Sequence, residues 1–240
     1  MRNLLLLGVM FCSSGSGAVL IQKVLAASAA GTSFTVSFSN LPTAGNTVFV
    51  GVSTARGTSI THTGCSDNQG NTFTADVTRA SPSGPVRASI YRLTNIGATA
   101  GTYTATCTLS ASAIGTLTMA EYSGLLNVSP LDQIGSNGHN SLATIECGTS
   151  DPLTASELDI VVTADNYTGV SSFTPAGSIE TIELSQTDGT NFTRALLGDA
   201  VPSSGTWIPT FTVNTAVASA CVQAFYKLAV PAAARRRVLK

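Results

Sequence analysis

Charge is what this chain lacks most. Asp, Glu, Lys and Arg make up 10% of its 240 residues and nearly cancel, leaving a formal net charge of −1. No basic block lies within the body of the chain, so the electrostatic footprint that holds a phosphate backbone is missing, and no nucleic-acid partner is expected. Histidine occurs twice, at His62 and His139, and there is no Cys-x-x-Cys pair, which leaves a zinc centre almost without ligands. Aromatics are 6% of the chain, with Trp207 its one tryptophan, so stacking platforms for sugars are scarce. The apolar run from Leu4 to Cys12 is too short to cross a bilayer as a helix.

Hydroxyls and alternation stand in place of charge. Ser and Thr form about a quarter of the sequence, a surface composition that suits an extracellular β protein. In "GTYTATCTLS", Thr102, Thr104, Thr106 and Thr108 point one way while Tyr103, Ala105, Cys107 and Leu109 point the other, the two-residue period of a half-buried strand. The runs 86–93, 116–123, 158–164 and 220–228 have strand length and β-forming composition, and Val19 to Val24 reads as a first strand. Gly followed by Thr or Asn opens an alternating run at Gly31, Gly45, Gly70, Gly101, Gly115, Gly189 and Gly205, at irregular intervals that fit hairpin punctuation rather than a solenoid or propeller repeat. The expected fold is all-β, an antiparallel two-sheet sandwich of jelly-roll or Ig-like type. Length permits one large sandwich or two small ones, and the loop-like stretch 123–141, with a short strand at Leu131 to Ile134, is either a crossover or a boundary.

Residues 1–18 read as a signal peptide, with Arg2 ahead of the short apolar run and Ser16 and Ala18 at the −3 and −1 positions. A virion protein with an apolar N-terminus is the alternative. The sandwich then spans 19–230, and 231–240, ending Arg235-Arg236-Arg237-Val238-Leu239-Lys240, forms a basic solvated tail. Export leaves Cys65, Cys107, Cys147 and Cys221, which allow three pairings. Cys65 with Cys107 and Cys147 with Cys221 is favoured because each bridge ties neighbouring segments within one half; in a reducing setting, free buried thiols replace it.

The order "IQKVLAASAAGTSFTVSFSNLPTAGNTVFVGVS", "CSDNQGNTFT", "IYRLTNI", "GTYTATCTL", "MAEYSGLLNVSPLD" and a late "GTWIPTFTV" before "VQAFYKL" resembles a poorly characterised module of secreted bacterial and phage-derived proteins. Its marks are an Asp-x-x-Gly-Asn-Thr turn, a Glu-Tyr-Ser-Gly strand end and a following Pro-Leu-Asp. The resemblance runs from about Val19 to Leu228 and implies one two-sheet sandwich outside the cell or on a particle, with no agreed activity. The cysteines and the Arg-rich tail are not part of that pattern.

Chemistry is sparse. In "CSDNQGNTFTAD", Asp67, Asn68, Asn71 and Asp76 supply oxygens for a structural calcium ion, yet the spacing is not that of an EF-hand and the same residues favour a hairpin turn capped by Asp67. No Gly-x-Ser-x-Gly elbow occurs, and His62 and His139 read as loop or strand-end residues rather than bases. Glu121, Asp132, Glu146, Asp151 and Asp159 are available as glycosidase acids, Glu121 being the least expected in a strand; its plain reading is a rim residue bonding a loop. Asp165, Asn166 and Tyr167 form a polar tip after a strong strand, and with Trp207 they are the candidate ligand contacts. Trp207 also shares a face with Pro209, Phe211 and Val213, as a core residue would. The expectation is a non-enzymatic structural or adhesive module with no cofactor, extracellular or on a virion. It would bind a glycan or a surface protein, or itself. A carbohydrate-binding module is the second reading and a glycan-active enzyme the third.

Overall fold

The computed structural model describes residues 17–55, 60–84, 86–150, 157–166, 174–175, 181–185, 196–200 and 206–229. Residues 1–16 of the signal segment, the basic tail, Tyr167 and Asp151 lie outside these residues. The described chain is all-β and antiparallel. In chain order the strands are β1 (Val19–Ser37), β2 (Thr47–Ala55), β3 (His62–Asp67), β4 (Thr74–Ala80), β5 (Arg87–Leu93), β6 (Thr104–Ser123), β7 (Leu131–Glu146), β8 (Glu157–Asp165), β9 (Thr174–Pro175), β10 (Thr181–Ser185), β11 (Leu196–Ala200) and β12 (Thr210–Lys227).

The first sheet runs β1-β6-β2-β5-β4, with β3 also on β6; the second runs β7-β12-β8-β11-β10, with β9 also on β12. Written this way the two halves of the chain have the same topology, strand for strand. The registers agree as well. One constant offset carries Leu20, Ser28 and Ser33 of β1 to Leu131, His139 and Thr144 of β7, and another carries Tyr122, Gly115 and Thr108 of β6 to Tyr226, Ser219 and Thr212 of β12. Even the irregularities coincide. A bulge at Leu20/Gln22 matches one between Leu131 and Gln133, and a bulge at Ala75/Val77 opposite Ile90 matches one at Ile182/Leu184 opposite Leu197. Bulges are placed individually in a sheet, so their recurrence identifies two copies of one β-unit. This corrects the reading of 123–141 as loop: β7 occupies its second half because β12 offers a partner along nearly its whole length.

The two units pack face to face. Phe49, Val77, Ala88, Ile90, Ala120 and Tyr122 of the first meet Leu158, Ile160, Val162, Ala164, Ala220, Val222, Ala224 and Tyr226 of the second. The alanines on β12 keep that face low, so the sheets approach closely. Gly51 and Val162 are equivalent positions in the two units, and they meet: a Cβ on Gly51 would lie 2.7 Å from Val162 Cγ2. At one side Arg92 clasps Asp76 with Nε and Nη2, each at 3.0 Å, while Tyr226 of the other unit donates its hydroxyl to Asp76 at 2.7 Å. Burial, helped by the Asp76 charge, pushes the Tyr226 phenol well up, so it remains a donor.

Each unit also has its own core on the far side of its sheet. Val48, Val50 and Val52 of β2 pack with Phe34, Val36, Phe38, Tyr103, Ala105, Cys107, Leu109, Leu117 and Met119. β1 and β6 supply residues to this cluster on both sides of the register break between Ser28 and Ser33. Consequently all of β2 is buried, and its sequence reads as a run rather than an alternation. The expected inward set is confirmed: Tyr103, just before β6, and Cys107 and Leu109 on it are buried. The disulfides are Cys65–Cys107 and Cys147–Cys221, with Cα separations of 4.1 and 4.6 Å, the pairing favoured from sequence.

Two outcomes test this packing. Gly51→Val should destabilise the protein by roughly 1–3 kcal/mol in urea titration, since the Val162 side chain already fills the space. Replacing Cys65 and Cys107 together by Ala should lower stability by roughly 2–4 kcal/mol, since the bridge closes a loop whose ends are 42 residues apart.

Candidate functional site

The turn after β3 is tied together by Asp67. Its Oδ1 accepts the backbone amides of Gln69 and Asn71 at 3.0 and 2.8 Å, and its Oδ2 accepts Asn71 Nδ2 at 2.8 Å. Gly70 takes φ +90°, the left-handed conformation a tight turn demands. Asn68 donates to Thr102 O at 2.6 Å and accepts from Thr104 N at 3.0 Å, and so pins the turn to the start of β6. Asp67, Asn68 and Asn71 therefore share one turn, while Asp76 is turned to Arg92 and Tyr226. Among the described residues no group of three or more His, Cys, Asp or Glu could hold a metal ion.

Glu121 is fully buried on β6. Oε1 accepts Thr43 N at 2.8 Å and Asn46 Nδ2 at 2.6 Å; Oε2 accepts Gln22 Nε2 at 2.6 Å. Charge-assisted bonds of this kind hold the β1–β2 loop against the sheet, as the rim-residue reading requires. The other acids are scattered. Asp132 pairs with Lys227 at 2.6 Å, Glu146 is exposed at the end of β7, and Asp159 is buried on β8.

His62 begins β3 and binds two hydroxyls, Thr54 Oγ1 at Nε2 (3.0 Å) and Ser89 Oγ at Nδ1 (2.7 Å); Ser89 Oγ also meets Thr78 Oγ1 at 2.6 Å. Burial, with Arg87 nearby, lowers its pKa to about 3. A neutral ring can accept from one hydroxyl and donate to the other, so the network crosslinks β2, β3, β4 and β5. His139, on β7, has Nε2 3.2 Å from Glu146 O and accepts from Glu146 N at 3.3 Å, bridging two points of its own strand.

Of the candidate ligand contacts, Asp165, Asn166 and Trp207 lie among the described residues and Tyr167 does not. Asp165 is fully buried at the end of β8, where its register partner on β12 is Ser219. Asn166 donates its amide to Ala218 O at 3.2 Å and accepts Ala218 N on Oδ1 at 3.2 Å, extending the ladder. Trp207 is half-buried before β12, with its backbone bonded to Ser150 Oγ at 3.2 Å on both sides. Pro209, Phe211 and Val213 are buried, in accord with a core-facing stretch.

Sequence reasoning missed the Asp76–Arg92–Tyr226 clasp and the polar row that runs along β8 and β12: Thr163, Asp165, Ser219 and Gln223 are all fully buried. Both follow from the duplication, whose faint sequence trace is "LIQ" and "AEY" in the first unit against "LDQ" and "AFY" in the second.

Because the folded state keeps His62 neutral down to about pH 3 while the unfolded chain protonates it near 6.5, this residue's contribution is intact at pH 7 and is lost as pH falls. Chemical-denaturation curves should show stability dropping between pH 6.5 and 3 with a slope of up to ~1.4 kcal/mol per pH unit from this group. His62→Gln should flatten that part of the profile. Glu121→Gln should cost roughly 1–3 kcal/mol, since its amide nitrogen would face one of the present donors.

No family model matches the chain, and neither curated proteins nor solved structures give a match.

Proposed function

We propose that this chain is a non-enzymatic structural or adhesive β-module working outside the cell or on a particle surface. The observation that carries the reading is its edges. Among the described strands, β1 and β7, of 19 and 16 residues, end their sheets on the same side of the two equivalent units. Val19 and Ile21 on β1, and Ile134 and Leu142 on β7, are each about half exposed. Long edge strands with exposed apolar side chains are the standard route to strand-to-strand association, and charge, the usual protection, is scarce here.

Two buried disulfides and a hydroxyl-rich, weakly charged composition support a life in an oxidising setting. Support also comes from the groups best suited to catalysis, Glu121 and His62, each of which is engaged in bonds that hold the scaffold. The second copy of the chain is the favoured partner, because both edges belong to the same molecule and open chains can form from them.

Light scattering and electron microscopy of the purified protein should show uniform oligomers or fibres, lost in the Ile21→Lys/Ile134→Lys double variant with little change in Tm. Wild-type protein that stays monomeric at high concentration, or assembly unaffected by the double variant, would refute the edge role.

A further inference from the structure

β7 carries the pair Asn137-Gly138, and Asn137 is the one asparagine of the chain that glycine follows. Every other asparagine precedes a residue whose side chain shields the next backbone nitrogen. The glycine is fixed by the fold: a Cβ at Gly138 would strike the carbonyl oxygen of Ala80, at the end of β4. The asparagine is not. The offset that carries β1 onto β7 brings Ala26 to Asn137, and Ala26 pairs with Leu117 as Asn137 pairs with Cys221. The first unit therefore builds the same edge position with alanine.

Among the described strands β7 is an edge of the second sheet, and Asn137 and Gly138 are both half-buried, within reach of water. Gly138 N donates to Asn137 Oδ1 at 2.9 Å, which folds the carboxamide back over the nitrogen of the next residue. Asn137 Cγ is one bond from that oxygen, so the nitrogen and the carbon that a ring closure would join already lie side by side.

We infer that Asn137-Gly138 is a self-modifying site, where Asn137 is converted to aspartate and isoaspartate in the folded protein. The Gly138 nitrogen loses its proton to solvent and attacks Asn137 Cγ. The Cγ–Nδ2 bond breaks, ammonia leaves and a five-membered succinimide closes. Water then adds to either of its carbonyls and opens the ring, which gives the two acids. Residues 133–145 hold no Asp, Glu, Lys or Arg, so either product puts the first charge on this length of the edge. Charge on an edge strand opposes strand-to-strand pairing. Isoaspartate also lengthens the main chain by one carbon, and the rungs on either side of it lose step with β12. This consequence rests on the edge role proposed for β1 and β7; the modification itself does not.

The full chain, kept folded at neutral and at mildly alkaline pH, is cleaved after glutamate, and tandem mass spectrometry reads the peptide 122–146. Asn137 should gain about one dalton as its amide becomes an acid. The gain should come sooner at the higher pH, because the attacking nitrogen must be deprotonated, and at least about tenfold faster than at Asn140, which serine follows. Asn137→Asp installs the charge directly and should reduce the oligomers or fibres that the wild type forms. The inference is overturned if Asn137 is unchanged in the folded protein over a time in which the urea-unfolded chain reacts, or if the gain falls on Asn127 or Asn140 instead. A gain at Asn137 while Asn137→Asp assembles like the wild type upholds the chemistry and removes its tie to the edges. Protein that never assembles refutes the edge role alone.

Discussion

The apolar contact between the two sheets is what the rest of the structure depends on. Phe49, Ile90 and Tyr122 on one side, and Ile160, Val162 and the alanine-lined face of β12 on the other, form the only apolar surface common to both units in the described residues. Gly51 against Val162 sets how near the sheets come, since one of two equivalent positions must be small for the other to be large. Once that spacing holds, Phe49 reaches Tyr226 with ring centroids 4.6 Å apart, and the hydroxyl of Tyr226 reaches Asp76. Arg92 lies 5.7 Å over the same ring and neutralises the carboxylate the tyrosine binds. A buried ion pair is a weak source of stability, but this one, within the first unit, holds Asp76 where the Tyr226 hydroxyl of the second unit binds it.

Duplication explains why a chain so poor in charge and aromatics builds such a large β-structure. One β-unit presents an apolar face it cannot cover alone, and a second copy of the same topology covers it. The copies then diverged where the shared contact did not constrain them. Their disulfides differ: in the first, β3 is bonded to β6, while in the second the residue after β7 is bonded to β12. Their outer faces differ more, with valine and methionine on one side answered by threonine and glutamine on the other.

The polar residues that looked most chemical in the sequence act mainly as joints. Asp67 closes a turn, Glu121 holds a loop, and His62 links hydroxyls on neighbouring strands. Asp165 runs the other way: it reads as the base of an exposed tip, and it is buried beside Ser219. In each case the residue type suggested a reaction or a ligand, while its partners, drawn from strands distant in sequence, decided what it does.

Two-residue alternation and glycine-opened turns were enough to determine an all-β chain and the inward set leading into β6, because these depend on local geometry; the cysteine pairing was only favoured among three, and the fold decided it. The repeat was not legible, since pairing registers and bulges are properties of backbone hydrogen bonds that many side-chain sets satisfy, and only "LIQ/LDQ" and "AEY/AFY" survive as its trace. Nor was the polar row along β8 and β12. The run "ELDIVVTAD" gives the residues, but which of them face a second sheet and which face the interior of their own unit is decided when Val162 meets Gly51.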